Sequence, residues 1–189
     1  MAKLVSSTYG DALFELALEE NRLEAMYEEI AAARDVFLQN DELFKLLNHP
    51  KIVKDEKIAF IENVFQGRVS DEVMGFFHII VTKDRYNDMI AIFDYFLHKV
   101  KEYKGIGTAH VTSAIALSEE QKAAVEKRLL ETTRYHSFDM DYKVDPSILG
   151  GLIIRIEDRV VDSSLKTQLD KLTKQLSKIQ LSKTILFQL

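Results

Sequence analysis

DPSILGGLIIRIEDRVVDSSLKTQLDKLTKQL, residues 145–176, changes its periodicity twice, and those changes decide the C-terminal fold. The run Leu152–Ile156 is apolar and rich in branched residues, Glu157 and Asp158 interrupt it, and a second short run covers 159–161. This pattern predicts two strands around a tight turn, although no glycine marks the turn type. Asp162 or Ser163 then offers a helix cap. Beyond it Leu165, Leu169, Leu172, Leu176 and Ile179 are spaced 4, 3, 4, 3, which is the seam of a heptad. Such a seam either packs on the sheet of its own domain or meets a helix of another chain.

The strands need partners, and the sequence upstream supplies them. Phe138, Met140, Tyr142 and Val144 alternate with Asp139, Asp141 and Lys143, as in a strand with one buried face. Ser118 and Gln121 have the spacing of a capping box and begin a helix expected to reach about Arg134. Residues 108–115 are rich in β-branched types and predict another strand. Gly105-Ile106-Gly107 marks the change from a period of 3.6 to one of 2. Its spacing is a near-match to a dinucleotide fingerprint, but His110 stands where a third glycine is needed and helix precedes it, so the pair reads as a hinge. A small α/β domain over 105–189 follows, with a tail at 181–189 whose Ile185, Leu186, Phe187 and Leu189 continue the helix or dock on a partner.

Residues 1–104 contain one proline and three glycines, and their apolar residues keep the helical period throughout. Tyr9, Ala12, Leu13, Leu16 and Ala17 form one stripe; Leu23, Met26, Tyr27, Ile30 and Phe37 form the next. Asn40 and Asp41 break the pattern, Asn48-His49-Pro50 ends a short segment, Gly67 closes a helix through Ile58, Ile61, Val64 and Phe65, and Ser70 is placed to cap its successor. A last helix carries Met89, Ile92, Phe93, Phe96 and Val100. The expected fold class is therefore mixed: an N-terminal all-α six-helix bundle over 1–104, then the α/β domain.

Composition limits the chemistry. With 47% hydrophobic and 29% charged residues the chain can fold into globular domains. The absence of cysteine removes disulfides, thiolate metal sites and cysteine nucleophiles, and makes a reducing, bacterial cytoplasmic setting the simplest expectation. The start of the sequence lacks a signal-peptide pattern. The longest apolar stretches, such as 75–81, fall far short of the roughly 20 residues of a membrane span. Up to Lys104 there are 13 basic and 19 acidic residues, and after it 12 and 11. An acidic first half repels phosphate backbones, so nucleic acid is not an expected partner. The five histidines lie at least 12 residues apart, without the i, i+3 or i+4 companion of local zinc motifs, so no metal is expected. No nucleophile elbow or P-loop occurs, and neither a catalytic residue nor a cofactor is assigned. Glu157, Asp158 and Asp162 could act as paired carboxylates, but turns and caps use the same residues for solvation.

Leu149-Gly150-Gly151, Ile153-Ile154-Arg155, Asp158, Val161-Asp162, Ser164 and Leu165 together resemble the C-terminal signature of the delta subunit family of F-type ATP synthases, which includes the mitochondrial oligomycin-sensitivity-conferring protein. Tyr9-Gly10-Asp11-Ala12-Leu13 is similar to the family's opening helix. His49-Pro50-Lys51-Ile52 with Lys57, and Lys83-Asp84-Arg85, resemble its middle. The resemblance spans about residues 4–180; Ser6, Ser7 and Thr8 depart from the alanine and basic residue that family members commonly place before the first tyrosine.

The resemblance implies a non-catalytic stator, peripheral on the cytoplasmic face of the bacterial cell membrane. Its first domain would bind N-terminal segments of alpha subunits on the alpha–beta headpiece, and its second would meet b-type stalk subunits. Tyr9, Ala12, Leu13, Phe76, Ile79 and Lys83, in a groove between the first and fifth helices, are the candidate headpiece contacts, with Leu13 equally placed for the core. Leu172, Leu176 and Ile179 are candidate stalk contacts, and Gly150, Gly151, Arg155, Asp158 and Asp162 are structural signature residues. An unrelated helical adapter and a small enzyme using the carboxylates near Asp158 are the competing readings.

Overall fold

The computed structural model describes the backbone of residues 2–186 and the side chains of 4–40 and 42–176; the side chain of Ile179 and those of the 181–189 tail lie outside the described residues. The chain divides into two compact units, Met1–Lys104 and Gly105–Leu189.

The first unit contains α1 (Ala2–Glu19), α2 (Leu23–Gln39), α3 (Asp41–Leu47), α4 (Lys54–Phe65), α5 (Asp71–Thr82) and α6 (Met89–Tyr103), with a 3-10 turn at Tyr86–Asp88 before α6. Two of the helix ends close through a left-handed residue that is not glycine. At the end of α1 the amide of Arg22 donates to Ala17 O and that of Asn21 to Leu18 O, with Asn21 at φ 53°. At the end of α5 Arg85 N donates to Ile80 O and Asp84 N to Val81 O, with Asp84 at φ 57°. Both are Schellman closures, and Asn and Asp are the non-glycine residues that best tolerate the left-handed region. Lys54 Nζ then bonds Thr82 O at 2.8 Å and Asp84 Oδ2 at 2.6 Å, tying the start of α4 to the end of α5.

The stripes read from the sequence meet in one core. Phe37 of α2 stacks on Phe65 of α4 with centroids 5.6 Å apart, Phe65 meets Phe77 of α5 edge-on at 5.2 Å, and Phe93 of α6 touches both Phe37 and Phe77. All four rings are at most 2% exposed, so four helices share one buried aromatic cluster. Ser70 does not cap α5 with its side chain: its amide and hydroxyl both donate to Glu29 Oε2, at 2.8 and 2.7 Å. A carboxylate from α2 within reach outcompetes the local bond, because a charged acceptor makes the stronger hydrogen bond.

In the second unit β1 (Ile106–Ser113), α7 (Glu119–Thr132), β2 (Ser137–Val144), β3 (Leu152–Ile156), β4 (Arg159–Asp162) and α8 (Leu165–Leu186) follow in order, with a 3-10 turn at Pro146–Ile148. The sheet order is β2-β1-β3-β4. β1 and β2 are parallel, linked through α7, whereas β3 is antiparallel to both β1 and β4. The Ser118–Gln121 capping box is formed on both sides. Leu129, Val125 and Leu130 of α7 cover Ala109, Phe138, Met140, Ile154 and Ile156, which all fall on one sheet face by the register. The opposite face carries Thr108, His110, Asp141 and Arg155, and His110 Nδ1 lies 2.9 Å from Asp141 Oδ2.

Three further expectations change here. Gly107 is no hinge: it is buried inside β1 opposite Phe138, and an added Cβ would stand 2.4 Å from that ring. The β3–β4 turn, by contrast, forms at Glu157 and Asp158 as expected, without glycine, Glu157 itself taking φ 50°. Val144 is half exposed, so the buried face of β2 ends before it. The α8 cap is neither of the two residues expected. Ser164 Oγ accepts from Thr167 N at 3.2 Å, while Asp162 accepts from Ser164 N at 2.9 Å and from the Thr167 hydroxyl at 2.7 Å. The cap falls on Ser164 because this side chain is 1% exposed and directed inward, whereas Ser163 bonds back to Leu152 O.

Candidate functional site

The Tyr9-Gly10-Asp11 motif fastens α1 to α6, the principal neighbour of α1. Gly10 lies so close to the Tyr95 ring that a Cβ would come within 2.4 Å of it. Asp11 accepts from Tyr95 OH at 2.9 Å and pairs with Lys99 Nζ. The bond from Lys99, followed by that from Tyr95, holds the Asp11 carboxyl below its ordinary range, and Asp11 raises Lys99 and Tyr95 in return. Gly10 and Asp11 are thus accounted for by packing.

The six headpiece candidates fall into two sets. Leu13 is 1% and Phe76 7% exposed, and both belong to the core of the unit. Burial removes them from any direct contact with a partner. Tyr9 is half-buried against that core, whereas Ala12, Ile79 and Lys83 face solvent. Ile79 is 52% exposed between the fully buried Phe77, Ile80 and Val81, an apolar side chain that its own unit leaves open. α5 packs mainly on α4, so α1 and α5 are not each other's main neighbours.

In the second unit the signature residues have local structural tasks. Gly151 adopts φ 76°, and a Cβ there would stand 2.3 Å from Ser163 O. Gly150 lies under Leu165. Asp162 is held below the ordinary carboxylate range by its bonds from Ser164 and Thr167, and Arg155 Nε donates to Glu157 O at 3.2 Å. Tyr135 OH donates to Glu157. Asp158 is exposed in the turn. Glu157 and Asp162 are therefore committed to the hairpin and the cap, and no group of three or more potential metal ligands gathers among the described residues. Leu172 and Leu176 are 54% and 64% exposed, as are, at 48% and 53%, Leu165 and Leu169; the row does not pack on the sheet.

A family model described as "ATP synthase delta (OSCP) subunit" matches residues 5–176. The chain belongs to this family. It is 62% identical to the ATP synthase subunit delta of Lachnoclostridium phytofermentans over 96% of its own length and all of the relative's, and 34% identical to that of Alkaliphilus oremlandii over 95% and 99%. A chain in the cryo-EM structure of the Toxoplasma gondii mitochondrial ATP synthase hexamer shares its fold, with a TM-score of 0.74 at 17% identity over 90% of this chain and 96% of that one. A delta-family chain is a peripheral-stalk component of the F-type ATP synthase, structural and not itself catalytic. No described helix is long and apolar enough to cross a membrane. The sequence placed Ile115 at the end of an expected strand and Leu149 in the signature without giving either a contact role, yet they stand 73% and 62% exposed.

Proposed function

We propose that the first unit, as a six-helix bundle, sits on the alpha–beta headpiece and binds N-terminal segments of alpha subunits, while the second unit joins b-type stalk subunits on the cytoplasmic face of the membrane. Such a link resists rotor torque only if each contact is rigid, and the shared aromatic core and the Asp11–Lys99–Tyr95 fastening supply that rigidity in the first unit. The observation that carries the headpiece reading is Ile79, an open apolar side chain beside the buried Phe77, Ile80 and Val81, with exposed Lys83 one turn on. An amphipathic partner helix laying its apolar face against Ile79, Ala12 and Tyr9 is the recognition mode that fits.

The test is a titration of the full chain with a peptide of the alpha N-terminal segment. Ile79→Asp and Tyr9→Asp are each expected to weaken binding about 10-fold or more, a loss of ~1.4 kcal/mol or above. Ile79 is exposed enough for its change to leave the fold intact, which circular dichroism checks. Binding within 2-fold of the parent for both variants would exclude this surface.

A further inference from the structure

The sheet of the second unit has two edges of unequal length. β4 closes one side with four residues, whereas β2 closes the other with eight and has β1 as its strand partner. The register from Ile106–Ser137 to Ser113–Val144 is unbroken, so no bulge interrupts β2, and the strand contains neither proline nor glycine. In a parallel pair, alternate residues of a strand turn both N–H and C=O away from the partner. Among the described residues no other backbone group bonds to that outer side of β2. A long, regular edge is a template for a further strand unless charge, proline, a bulge or a covering element blunts it.

Of these devices β2 carries only charge. On the α7 face Phe138 is buried, Met140 and Tyr142 are half-buried and Val144 is half exposed, so the apolar face continues to the open margin of the sheet. On the other face Ser137, Asp139, Asp141 and Lys143 are exposed.

The charges along this margin give it a sign. On the flank of α7, Lys122 pairs with Glu119 at 2.7 Å and lies over the Tyr142 ring, and Glu126, one turn on, neighbours the same tyrosine. Past the end of β2, Lys143 and Lys166 lie close enough to Asp145 to favour its charged form. Before the start of β2, Arg134 rests over the Tyr135 ring. The middle of the strand therefore keeps the negative sign of Asp139, Asp141 and Glu126. His110 Nδ1 stands 2.9 Å from Asp141 Oδ2, yet 68% of the Asp141 side chain stays open to solvent.

A second copy of this chain is the wrong occupant. Paired antiparallel about Met140, two β2 strands set Asp139 against Asp141 on both sides; about Asp141, that carboxylate meets itself; about Tyr142, Asp139 meets Asp145. Like charges directly opposite destabilise a strand pair, and each of these registers contains one. An extended segment with basic residues at alternate positions stands in the reverse relation. Its cations oppose Asp139 and Asp141, while its intervening apolar side chains extend the face of Met140, Tyr142 and Val144. We infer that β2 is a docking edge for such a basic, extended segment of another protein, which adds a strand to the sheet. Main-chain bonds supply the affinity and the carboxylates supply the choice. This surface is separate from those of the headpiece and stalk readings.

The full chain is titrated at low salt with eight-residue peptides in which valine alternates with arginine or with glutamate. The arginine peptide is expected to bind and to protect amides of β2 from hydrogen exchange, and the glutamate peptide to bind at least 10-fold more weakly. Two further arginine peptides are N-methylated, one at its valines and one at its arginines. An added strand pairs through the N–H groups of one of its edges, so at least one methylated form is expected to lose binding 10-fold or more. Asp141→Lys, at an exposed position, is expected to weaken the arginine peptide at least 3-fold, with circular dichroism checking its fold. An arginine peptide that leaves the β2 amides unprotected, a glutamate peptide within 10-fold of it, or binding retained by both methylated forms would overturn the inference. So would an Asp141→Lys loss below 3-fold, or self-association of the chain that Asp141→Lys abolishes.

Discussion

Replacing Gly151 by alanine tests how far the junction of β3 and α8 depends on one missing methyl group. Two costs add. At φ 76° an alanine bears left-handed strain of about 1 kcal/mol. Its Cβ would also lie 2.3 Å from the Ser163 carbonyl oxygen, a backbone atom that no rotamer change can move away. Relief requires displacing residues 163–165, which make the bonds Ser163 N to Leu152 O and Leu165 N to Gly150 O, both 2.9 Å long. At about 1 kcal/mol for each bond, the expected loss is ~3 kcal/mol. Gly67→Ala is the internal control: that glycine sits at φ 73° with nothing within 4 Å of an added Cβ, so strain alone applies, about 1 kcal/mol. The chain has no tryptophan, so urea unfolding followed by hydrogen exchange and mass spectrometry is the suitable assay, since it reports each unit separately. A Gly151→Ala loss no larger than that of Gly67→Ala would refute the clash, and with it the structural explanation of the second signature glycine.

Phe77→Ala removes a fully buried ring that touches both Phe65 and Phe93; a loss of about 3–5 kcal/mol in the first unit is expected by urea titration, and one under ~1 kcal/mol would mean the aromatic cluster is loosely packed. The carboxyl of Asp162 lies below its ordinary value of 3.8, so its contribution to the start of α8 is complete above pH 3.8 and is lost as the pH falls through the lower value of the folded state. Amide chemical shifts of residues 164–168 are expected to move in that acid range, and Asp162→Asn is expected to remove the transition.

The two units were legible in the sequence for different reasons. In the first, Phe37, Phe65, Phe77 and Phe93 lie on helical stripes, and burying a stripe is a requirement that its spacing states directly. In the second, the strict alternation in β2 and the Ser118–Gln121 box are equally local signals. The candidate site was less legible. Tyr9, Leu13, Phe76 and Ile79 all follow helical spacing, yet Leu13 and Phe76 are core while Ile79 is open, because a stripe wider than its partner leaves its margin uncovered and only packing fixes where that margin falls.

Family membership, the helical first half, the α/β second half and the lack of a recognisable catalytic motif are properties of the sequence itself, since periodicity, caps and the signature around Gly150 and Gly151 act over a few residues. Tertiary structure decided the rest. It gave the cap of α8 to Ser164, turned Ser70 from a cap into a partner of Glu29, and moved Gly107 from hinge to packing contact. It also left the leucines of α8 uncovered. Each of these outcomes depends on which distant group comes within a few ångströms, and neither residue type nor spacing encodes that distance.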